Sequence, residues 1–173
     1  MNRKRSIKRG DRIVNHQEIL KERLFESSLH KKRLKSALHK IQFIMPLDGE
    51  KYKELDDIFI SILDQMLFRF TKLQDTLGEK VFPLILILLE EPVKKMSFID
   101  RLNRLEELEI LDKSEWVNLR ANRNEIAHEY SYNEEDVVEN ITFIYEKSSD
   151  LMAIYDRLSD YCYRKFTIEI EDK

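Results

Sequence analysis

The chain has 173 residues, of which 36% are charged, with only three Gly and three Pro. This composition disfavours a turn-rich β fold, is typical of long helices, and suits a single domain at this length. The lone cysteine, Cys162, excludes an internal disulfide, and no secretory leader pattern opens the sequence, so we expect a cytoplasmic protein.

Positive charge is concentrated at the beginning of the chain. Residues 1–12 carry six Lys or Arg against one Asp, although the whole chain has a net charge of −3. We expect residues 1–14 to form a basic, flexible arm. The arm either binds nucleic acid phosphates or an acidic partner, or it is a disordered solubilising tail, and the sequence leaves both interpretations open.

The first half of the chain predicts two long helices. Apolar residues recur at helical spacing from Asn15, which resembles a helix cap, to Pro46, which ends the first helix. Asp48 can cap the second helix. Its broad apolar stripe continues to Gly78, where we expect a left-handed stop.

Two shorter helices are predicted next. The apolar run 81–89 contains Pro83 and has about half the length that a bilayer requires, so it predicts a short buried helix. Ser97 and Asp100 have the spacing of a capping box, which predicts a helix from about residue 98 to residue 109.

The second half predicts two more helices. Ser114 is expected to cap one of them, and Asn133 to cap a last, long helix that ends near Lys165. Residues 167–173 are expected to be frayed. We therefore predict that residues 15–166 form a single all-α domain, an up-and-down antiparallel helical bundle with one short extra helix.

The segment 120–130 places unusual residues on one predicted helix. Arg123 projects from its apolar stripe, where a guanidinium is costly unless it is paired or borders a polar cleft. His128 shares a different face with small side chains and with Asn124, one turn earlier, which can orient the ring. Tyr130 returns to the face of Arg123. The stripe itself contains Trp116, Leu119, Ile126, Ala127 and Tyr130.

This segment resembles a known family. Its run R-N-E-I-A-H-E-Y is similar to the R-x-x-x-x-H-x-Y motif of HEPN domains, and more narrowly of the HepT-like toxins encoded beside small nucleotidyltransferase antitoxins. The resemblance implies a dimeric, HEPN-like bundle that cleaves RNA without metal. It implies that Arg123 and His128 are catalytic, that Asn124 supports them, and that Tyr130 accepts AMP from the nucleotidyltransferase.

The chemistry of these residue types suits RNA cleavage. An imidazole such as that of His128 can act as base or acid near neutral pH, and the guanidinium of Arg123 can bind two phosphate oxygens at once. The sequence has no HExxH, no paired CxxC and no clustered His and carboxylate spacing, so neither a metal nor another cofactor is expected.

Other interpretations stay open. The chain can be a non-catalytic helical partner or substrate-binding subunit of a nucleotidyltransferase, or a purely structural bundle with Arg123 in a buried ion pair. The face of small residues around His128 is not needed for the core of the monomer. It therefore predicts a homodimer in which this face lines the cleft between the subunits. His30 and His39, among several Lys, are expected on a solvated basic face, and Cys162 in the core.

Overall fold

The computed structural model describes residues 9–121 and 134–170, and within these ranges all regular structure is helical. The prediction of an all-α bundle is thereby confirmed. The α-helices are α1 (Arg9–Ile41), α2 (Gly49–Lys53), α3 (Asp57–Asp75), α4 (Phe82–Leu88), α5 (Phe98–Glu107), α6 (Lys113–Ala121) and α7 (Glu134–Phe166). A π-helical segment, Thr76–Val81, joins α3 to α4, and a 3₁₀ turn, Val93–Lys95, precedes α5.

The two long helices of the first half are antiparallel. Arg69 Nη1 of α3 lies 3.1 Å from His30 Nδ1 of α1. Gln65, earlier on α3, donates from Nε2 to the carbonyl oxygen of Arg33, later on α1, at 3.4 Å. Helix α7 also packs against α1. Its Tyr155 hydroxyl donates to the carbonyl oxygen of Leu24 at 3.3 Å.

Apolar stripes from most of these helices meet in one core. Helix α1 contributes residues spaced by three or four positions, and α3, α4 and α7 cover them with large aliphatic and aromatic side chains. Each buried Leu, Ile or Phe side chain contributes roughly 1.5–3 kcal/mol to folding. Fully buried members of this core include Leu20, Leu24, Leu34, Met66, Phe70, Leu73, Ile144, Leu151, Ile154 and Leu158.

The predicted start of the first helix is wrong, and the predicted second helix is divided into two. Helix α1 already includes residues before Asn15, so Asn15 lies inside the helix and does not cap it. Asp48 does cap a helix, because its carboxylate accepts a hydrogen bond from the Lys51 amide. That helix is short, however, and a second cap, Asp56, starts α3 by accepting from the Phe59 amide.

The predicted stop at Gly78 is also wrong. The helical path continues from α3 through the π segment into α4, and no glycine with a described backbone has a positive φ. Gly78 is needed for close packing instead. A Cβ atom at this position would lie only 2.9 Å from Cζ2 of Trp116 on α6, too close for a normal contact.

Two glutamates end helices where glycine is commoner. Glu90 has φ 63° and Glu109 has φ 56°, and each follows a helix whose last carbonyls accept from the next amides in a Schellman arrangement. The predicted capping box of Ser97 and Asp100 is confirmed at the start of α5. Arg104 on α5 binds the carboxylate of Glu91 at 2.8 Å and so ties α5 to the end of α4.

The end of the chain turns back on the bundle. Thr167 ends α7 with φ 57°, and Ile168, in the segment expected to be frayed, is buried against the core. Ile170 then lies against residues of α1 and α7. The predicted cap Asn133 lies outside the described residues.

We expect Gly78→Ala to destabilise the fold, because the added methyl group overlaps the buried indole of Trp116. Overpacking of this kind costs about 1–3 kcal/mol in the free energy of unfolding. Urea unfolding measures this loss. Gly49→Ala is the matched control, since a Cβ there meets nothing within 4 Å. Equal stability of both variants would contradict the packing role of Gly78.

Candidate functional site

Helix α6 carries the chain into the segment that resembles the HEPN motif. Its first turn is capped by Asp112, whose carboxylate accepts from the Glu115 amide at 3.0 Å and from the Ser114 hydroxyl at 2.7 Å. The prediction that Ser114 is the cap is therefore wrong. Ser114 lies inside the helix and binds the cap residue instead.

The described part of this helix has the faces that its sequence predicts. Trp116 and Leu119 are buried, whereas Val117 and Asn118 are exposed. Val117 is 42% exposed and belongs to the face of small residues that was assigned to His128. An exposed apolar residue at this position leaves that face open to a neighbour.

Three contacts fix α6 on the bundle. Gln74 Nε2 donates to the Leu119 carbonyl oxygen at 2.8 Å, and this hydrogen bond is buried. The Arg120 guanidinium lies 4.3 Å from the ring centre of Phe98 on α5. The Trp116 ring packs edge-on against Phe82 with centroids 4.6 Å apart. Together they hold the described part of α6 against the bundle.

The sequence-predicted site residues Arg123, Asn124, His128 and Tyr130 lie outside the described residues. The described part of α6 ends at Ala121, two residues before Arg123. A small hollow lies close to this end of the helix. Its lining residues are Gln74, Asp75, Gly78, Glu79, Phe98, Trp116 and Arg120.

No family model, curated protein or solved structure matches the chain. Within residues 9–121 and 134–170, no helix is long and apolar enough to cross a membrane. The same described ranges contain no group of three His, Cys, Asp or Glu side chains arranged to hold a metal ion. Inferences about function therefore depend on individual residues and their chemistry.

A second candidate region is a cleft between α1 and α7 with a volume of about 480 Å³. Lys31 forms an ion pair with Asp156, and its ammonium lies 5.4 Å from the ring centre of Tyr155. The cleft is lined by Ser28, Lys31, Lys32, Lys35, Tyr155, Asp156, Ser159 and Ile170. Its three lysine side chains suit an anionic ligand.

On the opposite flank of α1, His30 is not on the solvated face that was expected. Its side chain is only 12% exposed and its Nδ1 atom faces Arg69 Nη1 of α3. Burial, and then the positive charge of Arg69, lower the pKa of His30. The neutral ring therefore accepts a hydrogen bond from the guanidinium.

Sequence reasoning missed both flanks of α1. The run of Lys and Arg from residue 31 onwards was interpreted as a uniformly solvated face, yet His30 packs against α3 and Lys31 against α7. Cys162 is buried as predicted, and burial raises the pKa of its thiol to about 12. The cysteine therefore stays protonated and belongs to the core.

We expect His30 to make the fold less stable in acid. The folded state disfavours the protonated ring, so this contribution to the free energy of unfolding is fully present above the ordinary pKa of 6.5 and is lost as the pH falls from 6.5 towards the lowered pKa. Urea unfolding at about pH 7.5 and about pH 5.5 measures the loss.

His30→Gln should reduce the difference in stability between the two pH values, because the amide oxygen can still accept from Arg69 but does not titrate. His39→Gln, on the exposed face of the same helix, is the matched control and should keep the wild-type difference. An unchanged difference in His30→Gln would refute the assigned role.

Proposed function

We propose that the protein is a metal-independent endoribonuclease of the HEPN kind and the toxin of a toxin–antitoxin pair. The observation that carries the proposal is the run from Arg123 to Tyr130, which comes directly after the firmly anchored helix α6. The all-α bundle is compatible with it.

The reaction needs a base, an acid and a positive group that stabilises the negative charge on the phosphate. A base removes the proton of the ribose 2′-hydroxyl, whose oxygen attacks the adjacent phosphorus while the bond to the 5′ oxygen breaks, and an acid returns a proton to that oxygen. The products are a 2′,3′-cyclic phosphate and a free 5′-hydroxyl. We assign proton transfer to His128 and charge stabilisation to Arg123, since only a fixed guanidinium offers two parallel donors to phosphate oxygens.

A homodimer would supply two sets of these groups. In the proposed arrangement, the face that begins with the exposed Val117 lines the subunit cleft, so that the two His128 rings approach a common groove. One imidazole then acts as base and the other as acid. Asn124, one turn before His128 in the sequence, is proposed to orient the ring.

Purified protein should cut RNA in EDTA and leave cyclic phosphate ends. Arg123→Ala and His128→Ala should each lower the rate by at least about 10²-fold while keeping the helical content. Gel analysis of labelled RNA measures the rate, mass spectrometry identifies the ends, and sedimentation should show a homodimer.

The half-buried His16 and the exposed Arg164 provide the controls, since His16→Ala and Arg164→Ala make the same chemical changes away from the motif. Full activity in the folded Arg123 and His128 variants would refute the proposal. An inactive wild type that binds a nucleotidyltransferase would favour the alternative, a non-catalytic partner of that enzyme.

Tyr130 is proposed as the site at which a nucleotidyltransferase antitoxin inactivates the toxin by adding AMP. Incubation with such an enzyme and ATP should increase the mass of the wild type by AMP units and stop RNA cleavage, because the nucleotide adds bulk and negative charge beside Arg123. Tyr130→Phe should not be modified, whereas Tyr132→Phe, the matched control, should still receive AMP. An adduct on Tyr132 alone would contradict the assignment.

A further inference from the structure

The described lining of the cleft between α1 and α7 is rich in lysine. Three of its lining side chains are lysines, and Asp156 is the one carboxylate among the described lining residues. Lys31 neutralises that carboxylate. Lys35 is exposed and forms no ion pair within the described ranges, which leaves its ammonium available to a ligand.

Positive charge continues across α1 to its other flank. Residues 30–40, which we call the basic ridge, contain five Lys or Arg and no Asp or Glu, in a chain whose net charge is −3. Arg33 on this ridge lies near Arg69 of α3, and Lys72 of α3 lies near His30. None of these three Arg and Lys side chains has a carboxylate partner in the part of the chain that the structure describes. Such a cluster of cations attracts polyanions.

The side chains that line the cleft favour phosphate groups. Lysine ammoniums are compact charges that bind phosphate oxygens, and the Ser159 hydroxyl on α7 can add a hydrogen bond. Exposed aromatic rings occur one helical turn from each wall, Phe25 on α1 and Tyr163 on α7. A basic groove with nearby exposed rings is typical of sites that bind single-stranded nucleic acid, because unpaired bases stack on the rings.

We propose that the α1–α7 cleft and the basic ridge bind the phosphate backbone of a single-stranded nucleic acid. The choice of RNA as the natural strand rests on the proposed function, but binding to the cleft does not. This surface lies on α1 and α7, on residues remote in sequence from Arg123 and His128.

The sharpest test removes a negative charge. Asp156→Asn frees Lys31 and should tighten binding of a fluorescein-labelled oligodeoxyuridine, which lacks the 2′-hydroxyl and is not cut. The slope of log K against log salt should steepen by up to about 0.7, the value for one additional phosphate contact. Asp150→Asn is the matched control, since Asp150 is also paired with a lysine on α7, Lys147. Equal effects of both changes would overturn the proposal.

A complementary test removes a positive charge. Lys35→Ala should weaken binding and reduce the slope by about 0.7. Lys94→Ala, at an exposed position on the 3₁₀ turn, changes the net charge equally and should leave the slope unchanged. Both residues are exposed, so both variants should fold, and circular dichroism checks that they do. Unaltered binding by Lys35→Ala would count against the cleft.

Competitors identify the source of the phosphate. An unlabelled strand should displace the labelled one at far lower concentration than ATP, inorganic phosphate or polyglutamate. Displacement by ATP at the same concentration would make the cleft a nucleotide site, and displacement by polyglutamate would make it a general anion site; either result overturns the proposal.

Parallel cleavage assays separate the two proposals. An inactive protein whose binding responds to Asp156→Asn and Lys35→Ala refutes the nuclease and supports the cleft. An active protein whose binding responds to neither change refutes the cleft alone.

Discussion

The contact between Gly78 and Trp116 is the constraint on which the position of helix α6 depends. The indole of Trp116 can pack against the π segment only because residue 78 has no side chain. This close approach brings α6 against the end of α3, where Gln74 binds the Leu119 carbonyl oxygen. The helix that leads to Arg123 is thus fixed by packing and by a buried hydrogen bond, and its last described turn has little freedom to tilt.

Charge is distributed unevenly over the bundle. Acidic residues predominate in the chain as a whole, yet the middle of α1 is strongly basic and faces partners on both neighbouring helices. Some cations there are neutralised, as Lys31 is by Asp156, and others repel one another across the α1–α3 contact. Repulsion between these cations lowers the stability of the fold, so an anion that binds there and relieves the repulsion stabilises the folded protein.

Helical periodicity was enough to predict the all-α class, the apolar core positions and the capping box at Ser97. Boundaries were less predictable because they depend on tertiary contacts. Gly78 was interpreted from local backbone preference, whereas its role is set by a tryptophan 38 positions away in sequence. His30 was misassigned for the same reason: nothing in its own helix indicates Arg69. The motif chemistry came from residue types alone and stays a prediction.

The π-helical segment also determines the angular phase of α4. Hydrogen bonds in the segment span five residues rather than four, which accommodates an extra residue without breaking the helical path. If the same residues were wound as a regular α-helix, the extra residue would no longer be accommodated and α4 would rotate by about 100°. Phe82, Ile85 and Leu86 would then leave the core. The π segment therefore lets the apolar faces of both α3 and α4 point towards the core. A regular α-helix over the same residues would not allow this.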